Sequence, residues 1–341
     1  MKFEYYHAGL DETPKLSVDG TVANAIHFSH WVDNETPAEV KADTSTEIAL
    51  NLVASPRREQ MTQGIELVTN NHFDTDGVLS VWTVLTGEPA WELREQLIAA
   101  AESGDFSEFT NESAIRASIA IQGSDQASPN DETGSPLARY LAGEDVDDDA
   151  RAYELVLPEV ERVLTRTDEY EPLWREPWKR ITTAIESFER GSSAVRELPD
   201  EAISLITLAP DIFSASGFNP TRHAAPYTAI SRYARGKLFV IATPVASGWS
   251  YRIDYPYYSW AETVVRPRIE RHNLTPLIDR LNEIEENGDG QWKLDSNEMT
   301  SAVKYIGSNG LLGVSSLDPD VVVSNLRAIV GSALEGAAAT R

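Results

Sequence analysis

Apolar residues along the first third of the chain follow two alternating periods. In "VANAIHFSHW", Val22, Ala25, Ile26 and Phe28 are the apolar positions of a β-type stretch, which predicts a strand finishing near His30. In "TSTEIALNLV", Thr44 precedes Glu47 by three residues. That is capping-box spacing, in which hydroxyl and carboxylate each satisfy an amide at a helix start, so a helix is expected there. The run through Ile65, Leu67 and Val68 predicts a second strand, and Val78, Leu79, Val81, Trp82 and Leu85 then recur at helical spacing. A further helix, "PAWELREQLIAAAESGDF", is expected to stop at Gly104, whose missing Cβ suits a left-handed cap. Strand alternating with helix predicts an α/β fold, a parallel sheet with helices on its faces whose sites open where the strands end.

After residue 122 the pattern fades. "QGSDQASPNDETGSP" and "GEDVDDDA" are polar and acidic, so residues 123–149 are expected to form a flexible connection or lid between an N-terminal domain over 1–122 and a second region over 150–341. Residues 150–192 are helical in pattern, with Trp174 and Trp178 four apart. "AISLITLAP" and "KLFVIATPV" read as strands, and "SYRIDYPYYSW" reads as the partner of the latter across "ASG". Helices are expected near 262–287, 298–306 and 318–337, which makes the second half an α+β domain.

Charge changes the picture of the surface. Acidic residues number 54 against 29 basic ones, a formal charge of -25, and lysine occurs only at 2, 15, 41, 179, 237, 293 and 304. Such a surface resembles those of halophilic organisms with molar salt in the cytoplasm, where the Debye length is about 3 Å and self-repulsion is screened. It offers no basic stripe for nucleic acid. The absence of cysteine excludes disulfides, iron–sulfur clusters and thiol nucleophiles, so any metal has to sit among histidine nitrogens and carboxylate oxygens. The start "MKFEYYHAGLDETPK" has no apolar leader core, and no stretch approaches 18 uninterrupted apolar residues. A cytoplasmic protein with no membrane partner is expected.

The chemistry concentrates in "NNHFDTDGVLS". On an extended segment alternate side chains share a direction, so His72, Asp74 and Asp76 can converge while Phe73 and Thr75 turn elsewhere. Imidazole with carboxylate suits Mn²⁺, and oxygen suits Mg²⁺. Gly77 is expected to let the backbone turn tightly into a helix whose first amides favour an anion. The plainer alternative makes Asp74 and Asp76 helix-capping residues. His30, at the end of the preceding strand, is a candidate further ligand. Asp105 is another, since a carboxylate at a helix's negative end calls for a compensating cation. Asp43 either lines the same crevice or caps its helix. Arg222 and His223, in "GFNPTRHAAPYTAI", are candidates for a phosphate clamp and a general acid or base. Arg266 and Arg268 either bind phosphate or neutralise acidic neighbours, and the aromatics of "SGWSYRIDYPYYSW" either stack on a base or pack across strands.

The pattern H-x-D-x-D-G-x-x-S after a strand resembles the first motif of the DHH phosphoesterases. That resemblance implies that His72, Asp74 and Asp76 hold manganese or magnesium and that the protein cleaves a phosphodiester or phosphoanhydride. No Asp-His-His triplet occurs in the chain. The stretches "HFSHW", "ADTSTEIAL", "NNHFDTDG" and "YPYYSWAETVVRPRI" resemble an uncharacterised prokaryotic family, which implies no activity. Dinucleotide-binding, P-loop, α/β-hydrolase and zincin signatures are absent. The expectation is a metal-dependent phosphoesterase acting on a small phosphorylated substrate, a phosphodiester or nucleotide. The alternative is a protein that binds a nucleotide or phosphometabolite without cleaving it.

Overall fold

A computed structural model describes residues 1–124, 134–209, 225–245, 247–294 and 301–338. The chain divides into two compact units, Met1–Lys179 with Trp260–Arg268, and Arg180–Ser259 with Ile269–Arg341. Arg222 and His223 lie outside the described residues.

The first unit carries a four-stranded parallel sheet built from β1 (Lys2–Phe3), β2 (Lys15–Val18), β3 (Ala25–Phe28) and β4 (Leu67–Thr69), in the order β1-β4-β2-β3. Sequence pattern reveals β3 and β4 but passes over β1, which has only two residues, and β2, whose four buried positions include the polar Lys15 and Ser17. The oversight matters because β2 lies between β4 and β3. Only six residues separate β2 from β3, and their register is parallel, Lys15 opposite Ala25 and Val18 opposite Phe28. Left-handed backbone at Asp19 (φ 67°) and Asn24 (φ 50°) turns the chain at both ends of this link, a conformation Asp and Asn tolerate best after glycine.

Helices cover the sheet. Helix α1 (Ser45–Ala54) starts at the predicted cap, with the Thr44 hydroxyl accepting from the Glu47 amide. After the single turn α2 (Arg58–Met61), helix α3 (Thr75–Thr86) leaves β4, and α4 (Arg94–Asp105) and α5 (Glu112–Gln122) follow. Of the periodic residues of α3, Val78, Leu79 and Val81 are buried, as are Ile48, Leu52 and Val53 of the adjoining α1 and Leu16, Val18, Phe28 and Val68 of the sheet, whereas Trp82 is half-buried, Leu85 is exposed and Val84 joins the core instead. Gly104 differs from expectation, since it lies within α4, which ends at Asp105 and is capped by Phe106. A Cβ there would come within 2.7 Å of Thr75 Cβ and 3.1 Å of Ser118 Oγ, so the glycine provides close approach of α4 to α3 and α5. Within the stretch expected as an acidic connection, Pro136–Ala142 forms α6, ahead of α7 (Asp149–Val156) and α8 (Val160–Thr165). Trp174 and Trp178 of α9 (Glu171–Glu189) both face the Arg116 guanidinium at 4.7 Å.

The second unit carries a mixed six-stranded sheet. Its strands are β5 (Ala194–Leu198), β6 (Ile203–Thr207), β7 (Leu238–Val245), β8 (Gly248–Asp254), β9 (Gly290–Leu294) and β10 (Ser301–Gly307), in the order β5-β6-β7-β8-β10-β9. The predicted β7–β8 hairpin is present, Thr243 opposite Ser250. Helix α10 (Tyr227–Ser231) is short, and α11 (Thr275–Ile284) and α12 (Pro319–Ala338) supply Leu277, Leu281, Val322 and Leu326 to a core with Ile253, Tyr251, Trp292 and Tyr305. Residues 301–307 form a strand where a helix was expected, because Val303 and Tyr305 alternate into that core at period two. The helix expected from 262 begins only at Thr275. Among the described residues no helix is long and apolar enough to cross a membrane.

Candidate metal centre

Three adjacent strands end at one place. Asp19 follows β2, His30 lies two residues past β3, and His72 lies three past β4. Because β2 is the middle strand of these three, Asp19 stands between the two histidines. Its Oδ1 is 3.5 Å from His30 Nε2, and its Oδ2 is 2.9 Å from His72 Nε2. The helices complete the cluster. Asp76 in the first turn of α3 brings Oδ2 within 3.7 Å of His30 Nε2, and Asp105 at the end of α4 brings Oδ2 within 3.2 Å of the same atom. Asp74 Oδ2 lies 3.1 Å from His72 Nε2.

Two donor sets result, each with atoms close enough to hold one ion, and they share one carboxylate. Asp19, His30, Asp76 and Asp105 form the first, and Asp19, His72 and Asp74 the second. The two differ in access: His30, Asp19 and Asp76 are sealed from solvent, whereas the side chains of His72 and Asp74 are 27% and 28% exposed.

The polar contacts around the cluster fix which atoms remain free. His30 Nδ1 donates to the Asp43 carbonyl at 2.7 Å, which points Nε2 at the carboxylates. His72 Nδ1 lies 3.1 Å from Asn71 Oδ1, with the same effect. Both Nε2 atoms and Asp19 Oδ2 are buried without a hydrogen-bond partner, although oxygens lie at ion-pair distance. Atoms that approach one another but are not aligned for a mutual hydrogen bond are disposed as ligands around a common point. Asp76 is oriented by the start of α1, its Oδ2 accepting from Ser45 N and its Oδ1 from Thr46 N, both at 2.7 Å. Asp74 caps α3, its Oδ1 accepting from the Gly77 amide at 2.7 Å, while its Oδ2 faces His72.

The electrostatics are unbalanced. Four carboxylates meet two imidazoles, and among the described residues no arginine or lysine pairs with any of the four. Burial and the neighbouring Asp19 push Asp76 up to about 7, and burial with Asp74 and Asp76 nearby drives Asp105 well above the carboxylate range. Burial alone would lower the histidines, yet Asp105, Asp76 and Asp19 raise His30 to about 10, while Asp74 and Asp19 raise His72 to about 12. Asp19 moves the other way: burial would raise it, but His72 and His30 hold it below its ordinary value. Without a metal the cluster therefore retains protons that a divalent cation would displace. A set of hard oxygens and imidazoles with orphaned, inward-facing atoms fits such a cation.

His72, Asp74, Asp76, Asp105 and His30 are thus brought together. Asp19 is the member of the cluster that sequence reasoning missed, and "SVDG" after an apolar alternation was its only signal. His27 turns away to the Val22 carbonyl. Gly77 is also needed for a different reason than expected. A Cβ there would lie 2.4 Å from Asn70 Nδ2 and 3.1 Å from Asp19 Oδ2, so the residue provides space beside the cluster. Asp43 neither caps α1 nor reaches the cluster with its carboxylate, which instead binds the amides of Val265 and Arg266. Arg266 neutralises Asp43, Glu102 and Glu108. Of the aromatic run, Tyr251 packs on Trp292 at 5.2 Å in the second core, and Trp260 packs against His30 at 4.9 Å.

No curated protein matches the chain. Among solved structures it is similar to PggH, a pGpG-specific phosphodiesterase of a Vibrio species, at 14% identity and a TM-score of 0.35, covering 93% of this chain and 83% of that one. A likeness so slight carries no argument about chemistry. The family match is of another order: over residues 2–336 the chain belongs to the DUF6687 family, a family of unknown function.

Proposed function

We propose that the protein is a divalent-metal-dependent phosphoesterase acting on a small phosphodiester or nucleotide. The observation that carries this reading is the pair of donor sets joined by Asp19, with the free Nε2 atoms of His30 and His72 aimed into them. Bound there, Mn²⁺ or Mg²⁺ supplies Lewis-acid polarisation of a phosphate and activates water for attack. The residues of the chain do the rest. Asp19, His30, Asp76 and Asp105 would hold an ion at the enclosed position, and Asp19, His72 and Asp74 would hold one at the position open to solvent and so to substrate. Trp31, 37% exposed with its ring 5.3 Å from His72, offers an apolar wall beside that opening. Arg222 and His223, which lie outside the described residues, remain proposals for the phosphate clamp and proton donor.

The test is hydrolysis of a chromogenic phosphodiester and of a panel of small nucleotides, with Mn²⁺, with Mg²⁺ and after chelation. Metal-dependent turnover is expected, with Asp19→Asn lowering it by more than about a hundredfold, since even the outer partners of metal ligands are worth about 10- to 100-fold. Full activity in Asp19→Asn would sink the proposal. Mn²⁺ binding with no turnover of any phosphoester would favour the binding-only alternative instead.

A further inference from the structure

One part-buried polar assembly of the first unit has no role in the reading above. The chain re-enters that unit at Trp260–Arg268, between two stretches of the second. There the Asp43 carboxylate accepts from the amides of Val264, Val265 (2.8 Å) and Arg266 (2.9 Å) and from the Arg266 guanidinium at 2.8 Å. The remaining guanidinium nitrogens are spent on Glu108 at 2.8 and 2.6 Å and on Glu102 at 2.8 Å. Four of the five guanidinium N–H donors are thus engaged by carboxylates, which leaves the question of what the assembly is for.

Its contacts converge on His30. The backbone carbonyl of Asp43, the same residue whose carboxylate is clamped, takes the His30 Nδ1 proton at 2.7 Å. The Glu262 amide donates to the His30 carbonyl at 2.7 Å. The Trp260 ring meets the imidazole edge-on, with centroids 4.9 Å apart and planes at 84°. Backbone, ring nitrogen and ring face of one histidine are therefore all held by this segment or by the residue it clamps. A ring flip would lose the Nδ1 bond and turn a carbon toward the carboxylates.

We infer that Asp43, Arg266 and Trp260 are positioning residues that keep His30 Nε2 aimed at Asp19, Asp76 and Asp105. This rests on the reading of the cluster as a cation site. Arg266 acts through Asp43, and Asp43 through its carbonyl, so neither touches the ion or the substrate. Lysine cannot replace Arg266, because a single ammonium lacks the planar fork that serves three carboxylates at once.

The experiment uses the full chain and Mn²⁺ alone, by calorimetric titration. Arg266→Lys and Trp260→Leu are expected to weaken Mn²⁺ binding about 10- to 100-fold, the usual effect of losing an outer partner of a metal-bound histidine. Trp260→Phe should bind as the unaltered protein does. Val163→Ala, a core truncation in α8, serves as the control for general destabilisation and should lower Tm without weakening binding. In the metal-free proteins, the hydrogen-bonded His30 Nδ1 proton is expected to exchange slowly enough for NMR detection in the unaltered protein and in Val163→Ala, and to vanish in Arg266→Lys. Equal Mn²⁺ affinity in Arg266→Lys and Val163→Ala, with the proton retained in both, would overturn the inference. If the unaltered protein binds no Mn²⁺, the metal reading fails, and the proton signal alone decides the positioning role.

Discussion

Asp76 shows how one side chain serves both fold and site. Its oxygens cap the first amides of α1, which stabilises the carboxylate, yet burial and Asp19 raise it to about 7 from an ordinary 3.8. In the metal-free protein the native state retains a proton that the unfolded chain has released, so stability declines as pH rises between those two values. A divalent cation must displace the same proton, so its binding strengthens over that range. The Mn²⁺-induced rise in Tm should therefore grow as pH passes upward through about 7 and shrink below it. A shift of constant size on both sides of that pH would remove Asp76 from the ligand set. His72, Asp74 and Asp76 were legible because they alternate within one short segment. Asp19 was not, because its importance comes from standing between strands that are distant in sequence.

At the scale of elements, helices and strands were most legible where apolar period and caps agreed, as at Thr44 and through Val78 to Val84. Glycines were legible as positions of constraint but not as to its kind. Gly104 looks like a helix stop in sequence, yet it lies inside α4 where Thr75 and Ser118 come close. For a glycine inside a helix, open space and close packing predict opposite signs for Gly104→Ala. At an unencumbered helical position alanine is favoured over glycine by about 1 kcal/mol. Here the added methyl would sit 2.7 Å from Thr75 Cβ, so Gly104→Ala should destabilise, by about 1–3 kcal/mol after overpacking. Chemical denaturation decides between them, and a stabilised variant would show that α4 does not need the close approach.

For the whole molecule, the charge of -25 predicts a stability that depends on salt. Raising KCl from about 0.1 M to about 1 M shortens the Debye length from about 10 Å to about 3 Å, which screens the repulsion among surface carboxylates. Tm should rise over that range, and a flat or falling Tm would separate the acidic composition from salt tolerance. The alternation of strand and helix determined the α/β class, the lack of cysteine determined the possible ligand chemistry, and one local segment gave three of the cluster's six residues. Those properties depend on neighbours along the chain. Tertiary structure alone decided the strand order that places β2 between β4 and β3, and hence the sharing of Asp19 between two donor sets. It likewise decided the return of Trp260–Arg268 to His30, because contacts across tens or hundreds of residues leave no periodic trace in a single sequence.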